Sequence, residues 1–180
     1  MEKVVLVNKD NKQTGVADKL IAHQEGLLHR AFSILIFNSK RELLLQKRAN
    51  TKYHTPNLWT NTCCSHPFVD ESYDDATRRK LLQEMGMENN LDKHFSFIYK
   101  SKLGNSLIEH EHDTVFIGES NELPIINPQE ASKYKYISLN ELKLEIKKNK
   151  ENFTPWFKII LDKIDMNYYS KNQYYYYRYA

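Results

Sequence analysis

Hydrophobic residues along the chain fall into short runs and two distinct periods, and together they lay out strands mixed with helices. Val4–Val7 reads as a short strand. Ala31–Phe37 and Glu42–Gln46 read as two more, joined by the polar Asn38-Ser39-Lys40-Arg41 in the manner of a hairpin. Trp59–Cys64, Phe95–Lys100 and Leu107–Ile117 are further strand candidates. Ser72–Met85 is the clearest helix: Ser72 suits an N-cap, Asp75 stands three residues on as in a capping box, and Gly86 provides the stop. Ser138–Lys147 opens on a second capping box, Ser138 with Glu141. Thr154-Pro155 places an N-cap before a proline at the first helical position and predicts a helix through about Ile164.

Strands mixed with well-separated helices predict an α/β (α+β) fold, a mixed β-sheet sandwiched between α-helices. A length of 180 residues suggests one domain, and no internal repeat or linker divides it. We expect a single domain over residues 1–167 and a tail over 168–180, where Tyr168–Tyr179 holds seven tyrosines. The tail's composition points to no function.

Charge and cysteine usage narrow the class. Lys plus Arg is 26 and Asp plus Glu is 23, a surplus of +3, which is too small to imply a nucleic-acid partner. The apolar run Ile34–Phe37 with Ala31 and Phe32 is far too short to span a bilayer. The segment MEKVVLVNKDNK lacks the apolar core of a secretory signal. Cys63 and Cys64 are adjacent, and a disulfide between neighbours would strain the peptide joining them. Reduced thiols in a soluble, cytoplasmic protein are the expectation.

Three clusters carry candidate chemistry: His23 to His29, Trp59 to Pro67, and Glu109 to Asp113. Residues two apart in a strand share a face, so Cys64 would point with His66, and Glu109 with Glu111. Three histidines and two carboxylates brought together would suit a borderline-to-hard metal ion. A thiol beside a carboxylate would be an acid–base pair. Each cluster also has an ordinary reading. Paired histidines are commonly surface or core residues, a lone cysteine is commonly a small buried apolar group, and an acidic stretch is commonly a solvated strand face.

The helix adds a fourth feature. Glu71, seven residues, then Arg79-Lys-Leu-Leu-Gln-Glu84-Met-Gly86-Met87 resembles the Nudix box in its full spacing. The chemistry departs from it, because Ser65, Lys80 and Gln83 replace the leading glycine and two of the glutamates. In ordinary Nudix hydrolases those carboxylates hold magnesium against a diphosphate, so the resemblance implies the fold without the hydrolysis. The plainer reading is an amphipathic helix with Glu84 paired to Lys80 one turn away.

Taken together, His29-Arg-Ala-Phe-Ser, Trp59-Thr-Asn-Thr-Cys-Cys-Ser-His-Pro67, the helix ending Glu84-Met-Gly86, Glu109-His-Glu111 and Thr154-Pro-Trp156 resemble the type 1 isopentenyl-diphosphate isomerases, over roughly residues 3–165. The resemblance implies a Nudix-type fold and an enzyme that interconverts isopentenyl and dimethylallyl diphosphate by proton addition and removal. It implies that His23, His29, His66, Glu109 and Glu111 hold one divalent metal (Mn2+, Zn2+ or Mg2+). Cys64, two residues before His66, takes the catalytic thiol position, with Glu111 and Tyr99 as its acid–base counterpart. Glu84 would bind a Mg2+ ion that comes with the diphosphate. Lys19, Arg48, Lys52 and Lys80 would surround that diphosphate, Ser65 would contact the substrate, and Trp156 would form an aromatic lid. A monomer or homodimer is expected. The competing readings are a Nudix hydrolase of a nucleoside or other diphosphate, and a non-catalytic metal module with Cys64 as a ligand.

Overall fold

The computed structural model describes residues 2–104 and 106–164, so the tyrosine-rich segment and the end of the expected domain lie outside the described residues. In chain order the elements are β1 (Lys3–Val7), β2 (Gln13–Asp18), α1 (Lys19–Glu25), β3 (His29–Phe37), β4 (Glu42–Arg48), β5 (Trp59–Thr60), β6 (Cys63–Ser65), α2 (Tyr73–Met85), β7 (Asp92–Lys102), β8 (Ile108–Glu119), β9 (Ala131–Ser138), α3 (Leu139–Lys148) and α4 (Pro155–Lys163).

The sheet is mixed and organised around β3. One edge of β3 pairs in parallel with β8 over nine residues, from His29↔Glu111 to Phe37↔Glu119. Its other edge pairs antiparallel with β6, as Ser33↔Cys64 and its neighbours, and meets β4 at Phe37↔Leu43. β1 and β2 extend one end of the sheet, β7 flanks β8, and β4 carries β5 and β9. β3 is apolar on successive residues because both of its faces are covered. Leu35 and Phe37 pack toward α3 and α4, against Leu142, Phe157 and Ile160. Phe32, Ile34 and Ile36 pack toward α2, against Ala76, Leu81 and Met85. The sheet is thus sandwiched between helices, as the sequence predicts. Truncating a fully buried side chain such as Leu35 to alanine would cost about 2–5 kcal/mol.

The helix ends follow local chemistry. Ser72 Oγ accepts from Asp75 N, and Gly86 closes α2 at φ 61, where a Cβ would lie 2.6 Å from the Ile125 carbonyl oxygen. α3 has the full capping box of Ser138 and Glu141. α4 has its proline in the first turn, but Thr154 makes no side-chain cap. Its hydroxyl instead shares a 2.9 Å hydrogen bond with Thr60.

The expected strand Trp59–Cys64 is two short strands. β5 pairs with β4 and β6 with β3, and the chain crosses the gap where β3 and β4 diverge. Polar side chains fill that gap. Thr62 Oγ1 donates to Leu44 O and accepts from Ile36 N, while Asn61 Nδ2 donates to Ile34 O and Cys63 O. β2, α1 and β9 were not anticipated. Among the described residues no helix is long and apolar enough to cross a membrane.

Candidate active site

α1 buries Ala22 and His23 while leaving Leu20 and Ile21 exposed. Gly26 ends it in the left-handed region, at φ 62, and turns the chain into β3, whose first residue is His29. Register then sets His29 beside Glu111 on β8, with Glu109 two residues earlier on the same face. His66 follows β6 from the far side of β3. The five ligand atoms of His23, His29, His66, Glu109 and Glu111 lie within 4.8 Å of one another, and all five residues are buried.

This donor set fits a metal ion. His29 Nδ1 lies 2.8 Å from the Leu27 carbonyl, which can only accept, so Nε2 is the ring atom left to face the cluster as a ligand. That atom is 3.2 Å from His66 Nε2, which is itself 2.9 Å from Glu111 Oε1. His66 Nδ1 is buried with no hydrogen-bond partner. Burial, outweighing the Glu111 hydrogen bond, lowers the His66 pKa to about 3, so its ring is neutral. Burial and the neighbouring Glu111 charge push the Glu109 carboxyl well above the usual range. Converging lone pairs and carboxylates in a dry pocket are satisfied by a cation.

Beside this cluster opens a cavity of about 240 Å³, lined by Cys64, Ser65, Tyr99 and Trp156 among others. Tyr99 donates a 2.7 Å hydrogen bond to Glu111 Oε2. β6 and β8 flank β3 on opposite edges, so Cys64 and Glu111 reach the cavity from strands about 10 Å apart. Burial pushes the Cys64 thiol up to about 12, so it keeps its proton. Trp156 is a fixed wall, 3% exposed, with Nε1 donating to Thr60 Oγ1 at 3.0 Å and the Arg48 guanidinium 5.5 Å from its ring centre.

Four cationic side chains also line the cavity, Lys19, Arg48, Lys52 and Lys80, together with Glu84. Each lysine has a carboxylate partner: Lys19 with Glu2 at 3.1 Å, Lys52 with Glu130, and Lys80 with Glu84 at 2.9 Å. The i,i+4 pair of the plain helical reading is therefore formed, inside the cavity. Burial would raise the Glu84 pKa, but Lys80 and the 2.8 Å bond from Gln46 Nε2 outweigh it and lower it.

The NUDIX domain family matches residues 27–157. An isopentenyl-diphosphate Delta-isomerase 2 of Aromatoleum aromaticum is 46% identical over 163 residues, covering 91% of this chain and 86% of the relative. One of Photorhabdus laumondii is 50% identical over 161 residues, covering 89% and 91%. The chain belongs to the isopentenyl-diphosphate Delta-isomerase family of NUDIX-domain proteins. Its fold is shared more widely. A crystallised protein of Deinococcus radiodurans superposes with TM-score 0.74 at 21% identity, covering 90% of this chain and 98% of that one. A MutT protein of Methanosarcina mazei superposes with TM-score 0.63 at 19% identity, covering 76% and 91%.

For this isomerase-family chain, the His/Glu cluster and the cavity beside it bring together the fourteen residues to which the resemblance gives a role. His23 and His29 sit in the His/Glu cluster, and the other twelve line the cavity. Sequence reasoning missed Glu2, Phe32, Tyr53 and His54, which also line it. His54 had no signal beyond being one of seven histidines, and Tyr53 lies in a chain already rich in tyrosine. It also missed that Ser33, the register partner of Cys64, donates from Oγ to buried Asp113 Oδ2 at 2.8 Å.

Proposed function

We infer that the chain interconverts isopentenyl and dimethylallyl diphosphate by moving one proton onto the substrate and another off it. The supporting observation is a cavity lined by Cys64 and by the hydrogen-bonded Tyr99–Glu111 pair, with Cys64 on β6 and Glu111 on β8, the strands at the two edges of β3. The alkene is nearly inert, so a proton must be added to its terminal carbon to give a tertiary carbocation. Removing a proton from the carbon on the other side of the cation completes the shift. Cys64 is suited to deliver the first proton and Glu111, assisted by Tyr99, to accept the second, and the roles exchange in the reverse direction.

His23, His29, His66, Glu109 and Glu111 would hold one divalent ion, Mn2+, Zn2+ or Mg2+. When bound, it supplies positive charge that adjusts the proton affinity of Glu111. The Trp156 face can stabilise the cation by about 2 kcal/mol when desolvated. Exclusion of water protects the cation from capture as an alcohol. Lys19, Lys52 and Lys80 would exchange their present carboxylate partners for diphosphate oxygens, and Arg48 would add its Nη1 while Nε and Nη2 keep their carbonyls. Ser65, beside the thiol, would add a polar contact to the substrate. Glu84 would contribute one carboxylate to a Mg2+ ion otherwise ligated by diphosphate and water. The binding energy of this remote group can be used at the reacting carbons. The two free thiols suit the cytoplasm.

The test uses the full chain, metal-loaded and chelator-treated, with isopentenyl diphosphate and magnesium. Loaded protein should form dimethylallyl diphosphate, and chelated protein should not. Cys64→Ser should keep its metal and lose turnover. Lost metal in that variant would instead favour a metal module with Cys64 as a ligand.

A further inference from the structure

The His/Glu cluster has an outer layer that no sequence motif announced. It comes from residues 49–58, the loop between β4 and β5. Two adjacent side chains of this loop turn onto the ligand set. The Tyr53 hydroxyl lies 3.3 Å from His23 Nδ1, and His54 Nε2 lies 3.4 Å from Glu109 Oε1. His23 Nε2 and Glu109 Oε2 are themselves 3.0 Å apart. The Tyr53 and His54 rings pack edge to face, with centres 4.4 Å apart at 88°, so the four side chains close into a ring.

The loop is built to hold this pair. Arg48 donates to the His54 carbonyl through Nη2 and to the Thr55 carbonyl through Nε, both at 3.2 Å. Thr55 and Asn57 take left-handed backbone conformations, at φ 46 and φ 62. Left-handed backbone is uncommon for a β-branched residue such as Thr55. Backbone strain of this kind tends to persist at functional sites. His54 is 9% exposed, so its edge faces Glu109 in a largely dry setting.

We propose that Tyr53 and His54 are positioning residues for the metal ligands His23 and Glu109. The inference rests on reading the cluster as a metal site. A ligating histidine must present one ring nitrogen's lone pair, and its other N–H then needs an acceptor. The Tyr53 oxygen can serve as an acceptor for His23 Nδ1–H, beside the backbone hydrogen bond to Lys19, as the Leu27 carbonyl does for His29. A carboxylate ligand is likewise oriented when a donor engages one of its oxygens. His54 Nε2 lies 3.4 Å from Oε1 of Glu109, so its Nε2–H tautomer would engage that oxygen and leave Oε2 to the ion.

Metal affinity tests this apart from turnover. The full chain is stripped with chelator and titrated with Mn2+ against a chromophoric competitor, and the Co2+ form is read by its ligand-field absorption. His54→Ala should bind metal about 10- to 100-fold more weakly and show an altered Co2+ spectrum. His54→Gln, whose amide N–H can reach the same oxygen, should recover most of the affinity. Tyr53→Phe should weaken binding several-fold. Tyr53 is 45% exposed, so this variant gives a reading even if His54→Ala fails to fold. Unchanged affinity and Co2+ spectrum in His54→Ala and Tyr53→Phe would overturn the proposal. Absence of metal binding by the unsubstituted chain would overturn the metal reading, and the proposal with it.

Discussion

Cys63 and Cys64 leave β6 on opposite faces of the sheet. Cys63 packs with Leu81 and Met85 of α2, whereas Cys64 packs toward the α4 side and opens into the cavity. Alternation along a strand produces this, and it makes two chemically identical neighbours unequal.

Cys64→Ala should therefore lower turnover by about 100- to 10,000-fold, the usual contribution of a positioned acid or base. Cys63→Ala should retain most turnover and lose some stability, because it empties a little of a fully buried site. Steady-state rates with circular-dichroism melting of both variants decide it. Equal loss of activity in two folded variants would count against the assignment of Cys64.

Much of the fold was legible because its signals are local and strong. β3 reads as a strand because both faces are buried, and α2 and α3 carry their caps in sequence. α1 was not legible because its pattern is inverted: Leu20 and Ile21 are exposed while His23 is buried. β9 alternates Lys and Tyr, both long amphipathic side chains and neither fully buried, so its period of two does not separate apolar from polar positions. β2 is an edge strand with no fully buried residue and an internal glycine. The site residues were legible through family resemblance, since their convergence depends on register. His29 meets Glu111 across a parallel pairing that no local pattern encodes.

Glu71 keeps the box's first acidic position, but here it is bound to Arg79 by two 2.7 Å hydrogen bonds. The hydrogen bonds from Arg79 chiefly hold the Glu71 carboxyl below its ordinary value. A depressed folded-state pKa adds stability above the unfolded value and loses it as pH falls. The pair is partly exposed, so its contribution should stay below about 1 kcal/mol. Arg79→Met should be less stable than the unsubstituted chain near neutrality. The gap should close as pH falls from about 5 to about 3. Denaturant melts across that range measure it, and a gap constant with pH would contradict the linkage.

Efficient hydrolysis of nucleoside diphosphate compounds is not expected. Where a hydrolase's box helix needs clustered carboxylates, Lys80 and Gln83 stand beside Glu84, and Lys80 already neutralises it at 2.9 Å. Asp74 and Asp75 lie in the first turn of α2, where acids complement the helix dipole. A substrate panel assayed for released phosphate or nucleoside monophosphate checks this. Magnesium-dependent turnover of any member, without isomerase activity, would support the hydrolase reading.

The most direct test of the central claim is incubation of metal-loaded protein with isopentenyl diphosphate and magnesium in deuterated water, with the product read by NMR. The groups that deliver and remove protons equilibrate with solvent between turnovers. Dimethylallyl diphosphate should therefore appear with solvent deuterium in the methyl group formed from the terminal alkene carbon, and Cys64→Ala should give neither product nor label. Failure of the folded, metal-loaded chain to form product, or product formed without deuterium at that carbon, would contradict the proton-transfer account.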